Sequence, residues 1–282
     1  MPALPELEVL RRDLEKEVVG RRIKEVEVRP GSNAMKVIAR HGRRKEFQGF
    51  LEGAKVDRID RVGRYIMLEL DNDHIMVVDL GVTGQLVKTS ASGEVVPHTH
   101  IVIGFTIGGQ LRFIDPKMKG RVFVGPKDEV ESDPSIKDFA VDPLDNRPLP
   151  WHDFSAMLEQ RQVAVKDLLV DDSFIVGLGD IYSDEVLFTA GLRHDRKSDE
   201  LSSQDVRRLY RALLETMQEA VKARGTSFGV ESFKDLQGNA GGFQEELKVY
   251  EREGEPCRRC RQPIMKEKFN GNDTYFCQQC QS

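Results

Sequence analysis

Apolar residues recur at Leu7, Leu10, Leu14 and Val18, a helical spacing that opens after Pro5 and stops at Gly20. Glu6 and Glu8 fall where a helix carries its positive end, so the chain is expected to enter a helix almost at its first residue. From Ile23 to Val124 the period shortens to two. Residues 23–28, 65–70, 75–80, 100–105, 111–114 and 121–124 read as strands, separated by turns such as Asp71-Asn72-Asp73 and Gly108-Gly109. This pattern predicts an antiparallel β-sandwich flanked by the leading helix.

Beyond the strands, residues 126–150 hold five prolines and many acids and read as a linker. The helical period then returns. Its clearest run spans 202–224: Ser202 with Asp205 forms a capping box, Leu209, Leu213, Met217 and Val221 make a core-facing stripe, and Gly225 ends it. Upstream, Gly177-Leu178-Gly179-Asp180 is a glycine-rich turn at a helix start, where exposed N–H groups can hold a phosphate and Asp180 suits an N-cap. Residues 225–242 carry five glycines and Asn239, the composition of a mobile loop. The expected class is α+β: a sandwich over 1–130, a linker over 131–150, a helical domain with its loop over 151–242, and a cysteine module over 243–282.

All four cysteines fall in that last module, as Cys257-x-x-Cys260 and Cys277-x-x-Cys280 with 16 residues between the pairs. Two such knuckles at this distance can close a tetrahedral Zn2+ site of four thiolates, one metal per chain. The intervening residues read as strand, turn at 270–273 and strand, hence a zinc-tied β-hairpin. Arg258, Arg259 and Arg261 balance the thiolate charge or reach a phosphate.

Charge changes the picture further. The net charge of −5 argues at first against nucleic acid, but the average hides segregation. Residues 36–65 hold nine Lys or Arg against four acids and residues 112–121 four against one, whereas residues 126–205 hold 8 basic and 19 acidic side chains. A polyanion can dock on the first two segments and is repelled by much of the third. No apolar run is long enough for a bilayer. With acids at Glu6 and Glu8 in place of a signal peptide, a cytoplasmic protein is expected, nucleoid-associated when on DNA.

The opening Pro2-Ala3-Leu4-Pro5-Glu6-Leu7-Glu8, the strand 65–70, Asp79-Leu80-Gly81-Val82-Thr83-Gly84, Phe113-Ile114-Asp115-Pro116, the run from Gly177 to Glu185, the run from Phe243 to Tyr250 and the four-cysteine hairpin together resemble the Fpg/Nei family of formamidopyrimidine-DNA glycosylases. The resemblance runs nearly end to end. It implies a sandwich with a leading helix, a helix-two-turns-helix domain and a zinc finger, acting as a monomer on duplex DNA, damaged or abasic, held between lobes, and it leaves room for a protein partner. It also implies removal of Met1, so that the secondary amine of Pro2 attacks C1′ of a flipped nucleotide, forms an iminium and cuts the strand by elimination. Arg64, Lys117, Asp180, Tyr250 and Asn272 fall on positions the resemblance assigns to DNA contact.

Several of these positions depart from the family pattern. Ala3 stands where the family has a glutamate that shuttles protons, which leaves Glu6 as the nearest matching carboxylate. Arg64 stands for a lysine, Asp79 for a histidine, Asp180 for an asparagine, Ser173 for a lysine and Asn272 for an arginine. Val82, Met118 and Lys119 occupy the positions of the intercalating wedge. An ionised Asp donates no hydrogen bond and repels phosphate. These changes predict a diverged DNA-binding member with reduced or absent excision; the alternative is a working glycosylase/AP lyase with Pro2 as nucleophile.

Overall fold

The computed structural model describes residues 2–29, 34–147, 149–228 and 232–282. The chain divides into two compact units, Met1–Asp138 with Arg224–Gly242, and Phe139–Ala223 with Phe243–Ser282.

The first unit opens with α1 (Leu4–Val18), followed by β1 (Ile23–Val28), α2 (Ala34–Val37) and α3 (Arg44–Leu51). Seven strands follow: β2 (Val56–Val62), β3 (Tyr65–Leu70), β4 (His74–Asp79), β5 (Gln85–Thr89), β6 (Thr99–Phe105), β7 (Gln110–Ile114) and β8 (Arg121–Pro126). They form two antiparallel four-stranded sheets, ordered β1-β6-β7-β5 and β2-β3-β4-β8. Strand alternation sends Ile66, Leu68, Met76, Val78, Ile103 and Phe113 into one buried core. Leu7, Leu10, Leu14 and Val18 of α1 join it, which is why their spacing was so regular.

The segment read as a linker, 131–150, is placed differently. Its first part continues α4 (Lys127–Ser132), and Val130 and Ile136 pack with Met67, Ile75, Val77 and Phe123 on the outer face of the second sheet. Its later part joins the second unit through a bridge between Val141 and Ile175. Prolines and acids describe the exposed side of this stretch; two buried aliphatics, Ile136 and Val141, fix the rest. The glycine-rich stretch also differs, since Arg224–Gly242 lies with the first unit rather than with the helical domain. Its residues 229–231 lie outside the described ones.

The second unit comprises α5 (Trp151–Glu159), α6 (Val165–Val170), α7 (Gly179–Ala190), α8 (Ser203–Lys222) and the hairpin β9 (Met265–Phe269) and β10 (Asn272–Phe276). The capping box at α8 is formed as expected, with Asp205 N–H donating to Ser202 Oγ and Ser202 N–H to Asp205 Oδ2. The hairpin turns on Asn270 and Gly271, both at positive φ, so Asn272 is the first residue of β10 rather than part of the turn. Among the described residues no helix is long and apolar enough to cross a membrane.

Candidate active site and metal centre

Pro2 lies half-buried just before α1, and Ala3 is the N-cap. Alanine offers no side-chain acceptor to the helix N-terminus, so half of a capping box is missing; Glu6 supplies the other half, accepting from Ala3 N–H through Oε2 at 2.8 Å. Its Oε1 accepts the Thr226 N–H at 2.6 Å. Glu6, only 2% exposed, therefore fastens the returning segment 224–242 to the start of α1. A second fastening lies two turns along the same face of α1, where Arg224 reaches Asp13 at 2.5 Å and Asp235 at 2.7 Å. Asp235 in turn accepts from Gln237 and Asn239 N–H; burial would raise its carboxyl, but Asn239 and Arg224 together hold it below the usual range. Composition flagged this stretch as a loop but could not show that its acids and arginine close on α1.

Gly225 is what permits the close approach. It sits at φ +79°, and a Cβ there would lie 2.8 Å from Glu6 Oε1. Gly225→Ala is expected to destabilise the protein by about 1–3 kcal/mol, through the left-handed backbone and the displaced carboxylate together. A melting temperature equal to that of the parent chain would contradict this.

The other candidate residues of this unit cluster around the β3–β4–β8 register. Tyr65 pairs with Asp79 and Asp79 with Arg121, which brings Arg64 to 3.6 Å from Asp79, with its guanidinium 5.5 Å from the Tyr65 ring centroid. Asp79 also accepts from Gly81 N–H. The adjoining loops are locked back to back: Thr83 Oγ1 donates to the fully buried Asp115, which also accepts from Lys117 N–H and Gly120 N–H. A Cβ on Gly81 would meet the backbone of Lys119 and Gly120 at 2.7 Å. This rigid pair presents exposed Val82, Lys117 and Lys119, with Met118 half-buried at φ +52°.

The basic segments are less available to a polyanion than their composition suggests. Arg40 pairs with Asp133, Lys55 with Asp57, Arg58 with Asp60 and Glu69, and Arg61 with Glu8. Arg61 is buried beneath α1, and Arg112, 2% exposed, donates to the carbonyls of Gly93 and Glu94. Neither is a surface cation.

In the second unit Asp180 does not cap α7. The N-cap is Leu178, without a side-chain bond, and Asp180 projects from the first turn, partly exposed and 3.9 Å from Lys166 Nζ. Its neighbours Asp184 and Glu185 are the residues sequence reasoning missed. Asp184 pairs with the buried Lys166 at 2.5 Å and accepts from Thr274 Oγ1 and Tyr275 N–H of β10. Glu185 accepts three consecutive N–H groups, of Lys248, Val249 and Tyr250. Two adjacent acids inside the otherwise apolar run 181–190 were the available signal, because buried carboxylates demand partners. Tyr250 is thereby fixed with its ring 5.1 Å from that of Tyr275, and burial, with the nearby acids, pushes its hydroxyl up to about 12. It stays a neutral donor at any ordinary pH. Asn272 is exposed on β10, paired in register with Phe269.

The four cysteine sulfurs lie within 4.8 Å of one another. The Cys260–Cys277 pair is 3.4 Å apart and the Cys257–Cys280 pair 3.9 Å. A tetrahedron with metal–sulfur bonds of about 2.3 Å has sulfurs about 3.8 Å apart, so the residues fit zinc. Burial would raise the Cys257 thiol, but N–H donors from Cys260 and Arg259 bring it down, while burial and the neighbouring sulfurs push Cys277 and Cys280 up, as four thiols crowded into one site compete to ionise. Two arginines of the knuckle turn toward protein, Arg258 to the carbonyls of Glu245 and Glu246 and Arg259 to those of Phe188 and Thr189, whereas Arg261 bonds Cys257 O only through its backbone N–H and is exposed. The finger binds a structural zinc.

Comparison with known proteins agrees with this architecture piece by piece. The family models for the formamidopyrimidine-DNA glycosylase N-terminal domain, its H2TH domain and the zinc finger found in FPG and IleRS match residues 1–122, 139–232 and 254–282. The chain is 36% identical over 282 residues to the formamidopyrimidine-DNA glycosylase of Pelotomaculum thermopropionicum, covering 100% of this chain and 99% of that one. It is 37% identical over 284 residues to that of Heliobacterium modesticaldum, with 100% of both covered. Among solved structures it is similar to the MutM (Fpg) protein of Thermus thermophilus, with TM-score 0.83, 32% identity and coverage of 99% and 98%. The Lactococcus lactis Fpg in complex with abasic-site DNA gives TM-score 0.86 at 28% identity, with 99% of each chain covered. With its sandwich, helical unit and four-cysteine finger matched in order, and full-length relatives above 30% identity, the chain belongs to the formamidopyrimidine-DNA glycosylase family.

Proposed function

We propose that this protein binds duplex DNA carrying a damaged or abasic nucleotide and has little or no capacity to excise a base. The observation that carries this reading is the surroundings of Pro2. With Met1 removed, Pro2 would carry a free secondary amine, which at an ordinary α-amino pKa near ~8 has an appreciable neutral fraction. Attack at C1′ forms an N–C1′ bond and releases the base with its bonding electrons. Opening of the sugar then needs a proton at O4′, and elimination needs removal of one from C2′. Ala3 can supply neither. Glu6, the nearest matching carboxylate, has both oxygens engaged by N–H donors in the described structure. An acid/base group contributes about 10^2 to 10^4 in rate, so its loss alone carries activity toward background.

The phosphate-holding residues support the same reading. Arg64 is drawn toward Asp79, Asp180 presents a carboxylate at the start of α7, and Asn272 offers an amide in place of a guanidinium. Cytoplasmic or nucleoid placement and action as a monomer belong to this proposal. A specific observation favours the alternative of a working glycosylase/AP lyase: the relatives matched over their full length bear the glycosylase name.

Binding separates the readings before any chemistry is asked for. With an abasic duplex, the slope of log affinity against log salt should be shallow, corresponding to fewer than about six phosphate contacts. A steep slope with tight binding at physiological salt would show an intact phosphate track and overturn the proposed loss of donors.

A further inference from the structure

The exposed face of α8 carries a cationic groove that the DNA-repair reading does not use. Arg207 and Arg211 stand four residues apart and Arg208 three from Arg211, so the three guanidiniums share one side of the helix. Like charges at these spacings destabilise an isolated helix. Arg208 is relieved by Asp205 at 2.5 Å; Arg207 and Arg211 have no ion-pair partner among the described residues. Arg207 instead lies 4.5 Å over the ring of Trp151, the only tryptophan of the chain.

Two cavities open along this face and share Arg207, Arg211 and Glu215. One, of about 640 Å3, is walled by Trp151 and Leu214; the other, of about 520 Å3, runs to Arg259 beside the zinc knuckle. Apolar surface and unpaired guanidiniums are therefore interleaved in one groove, and Trp and Arg are the residues that concentrate binding energy at protein interfaces. The groove has the volume of a few side chains. A duplex, with a phosphate charge every ~1.7 Å along its axis, would extend well beyond it over a unit that also exposes Asp153, Asp199, Glu200 and Glu215. A short peptide confined to the two cavities meets Arg207, Arg208, Arg211 and the apolar walls, against Glu215 as the one acid of the lining.

We propose that this face of α8 docks an acidic peptide segment bearing an apolar side chain, contributed by a partner protein. The acids pair with Arg207 and Arg211, and the apolar side chain lies against Trp151 and Leu214. The groove, built from the second unit alone, thus links a DNA-bound copy to a second protein.

Trp151 reports on the groove directly. The full-length, zinc-loaded protein is titrated with a nine-residue peptide of repeated Glu-Glu-Phe under selective tryptophan excitation, with repeated Lys-Lys-Phe as the charge-reversed control. A saturable change in emission is expected with the acidic peptide alone, and Arg207→Glu with Arg211→Glu should weaken it by about tenfold or more. Both arginines are exposed, so the double variant should keep its zinc and melting temperature. The proposal is overturned by an unresponsive Trp151 up to millimolar peptide, by an equal response to the basic peptide, or by unchanged affinity in the folded double variant. It is equally overturned if an undamaged duplex perturbs Trp151 at lower concentration than the peptide and displaces it, since the face would then belong to nucleic acid. The wild-type titration and the charge-reversed peptide decide the matter even if the double variant fails to fold. None of these readouts involves Pro2 chemistry, so the result stands apart from the excision question.

Discussion

Removing the metal is expected to unfold the C-terminal finger while the sandwich keeps its sheets. Freshly purified reduced protein should contain one zinc per chain, and Cys277→Ser should lose it. The expected effect is large because a preformed thiolate cage does not exist in the unfolded chain, so the binding free energy, about 10–16 kcal/mol for structural zinc in small finger peptides, is folding free energy. The apolar cluster around the finger is small: Phe188, Val249, Ile264 and Tyr275 with Cys257 and Cys277. A hairpin with so little to bury does not hold alone. Hydrogen exchange across β9 and β10 should rise to unprotected rates with a chelator, and also at acid pH, where protons compete for the thiolates. Zinc-free protein with those amides still protected would contradict the assignment.

The second large effect lies at the buried pair Lys166–Asp184, whose side chains are 3% and 1% exposed. Burial raises the Asp184 carboxyl, and Lys166 with the Thr274 hydroxyl and Tyr275 N–H opposes that rise. Removing one partner of such a pair costs about 3–5 kcal/mol, because the other is left charged and dry. Asp184→Ala should be the worse change. It leaves Lys166 only the more distant Asp180, at 3.9 Å, and strands the two donors from β10, whereas Lys166→Met leaves the carboxylate two hydrogen bonds. The joint replacement Lys166→Met with Asp184→Leu should recover part of the lost stability yet loosen the hairpin from α7, since the link to Thr274 and Tyr275 stays broken. Chemical denaturation of the four proteins tests the order; equal stability of Asp184→Ala and the parent chain would show that the pair is not what joins helix to hairpin.

Six of the eight sandwich strands were legible in the alternation of apolar residues, and the two that were not explain themselves. In β2 a register shift between Val56 and Arg58 breaks the period, so Val56 and Ile59 are buried three residues apart with charges between. In β5 one residue of five is buried, too few to show a period. The zinc centre was fully legible, because cysteine spacing is itself the geometry. The region around Pro2 was legible in its residue types but not in its wiring: one partner of Glu6 is Thr226, 220 residues away. The cationic track was misjudged for a related reason. Composition counts Arg61 and Arg112 as surface charge, whereas the fold spends both inside. Pairing across the chain, rather than the charge of a segment, decides what a polyanion meets.

The central claim concerns chemistry at Pro2, and covalent trapping tests it most directly. Protein with Met1 removed is incubated with a duplex containing an abasic site and borohydride is added, which reduces any iminium between the Pro2 nitrogen and C1′ to a stable adduct. The account predicts adduct near background and no strand cut for the parent chain. Run beside it, Ala3→Glu is predicted to give only slight cleavage, because a restored carboxylate acts on a nucleotide only when the phosphates on either side are held. A strong adduct with strand cleavage from the unaltered chain would show that the site works without a glutamate at position 3 and would contradict the account.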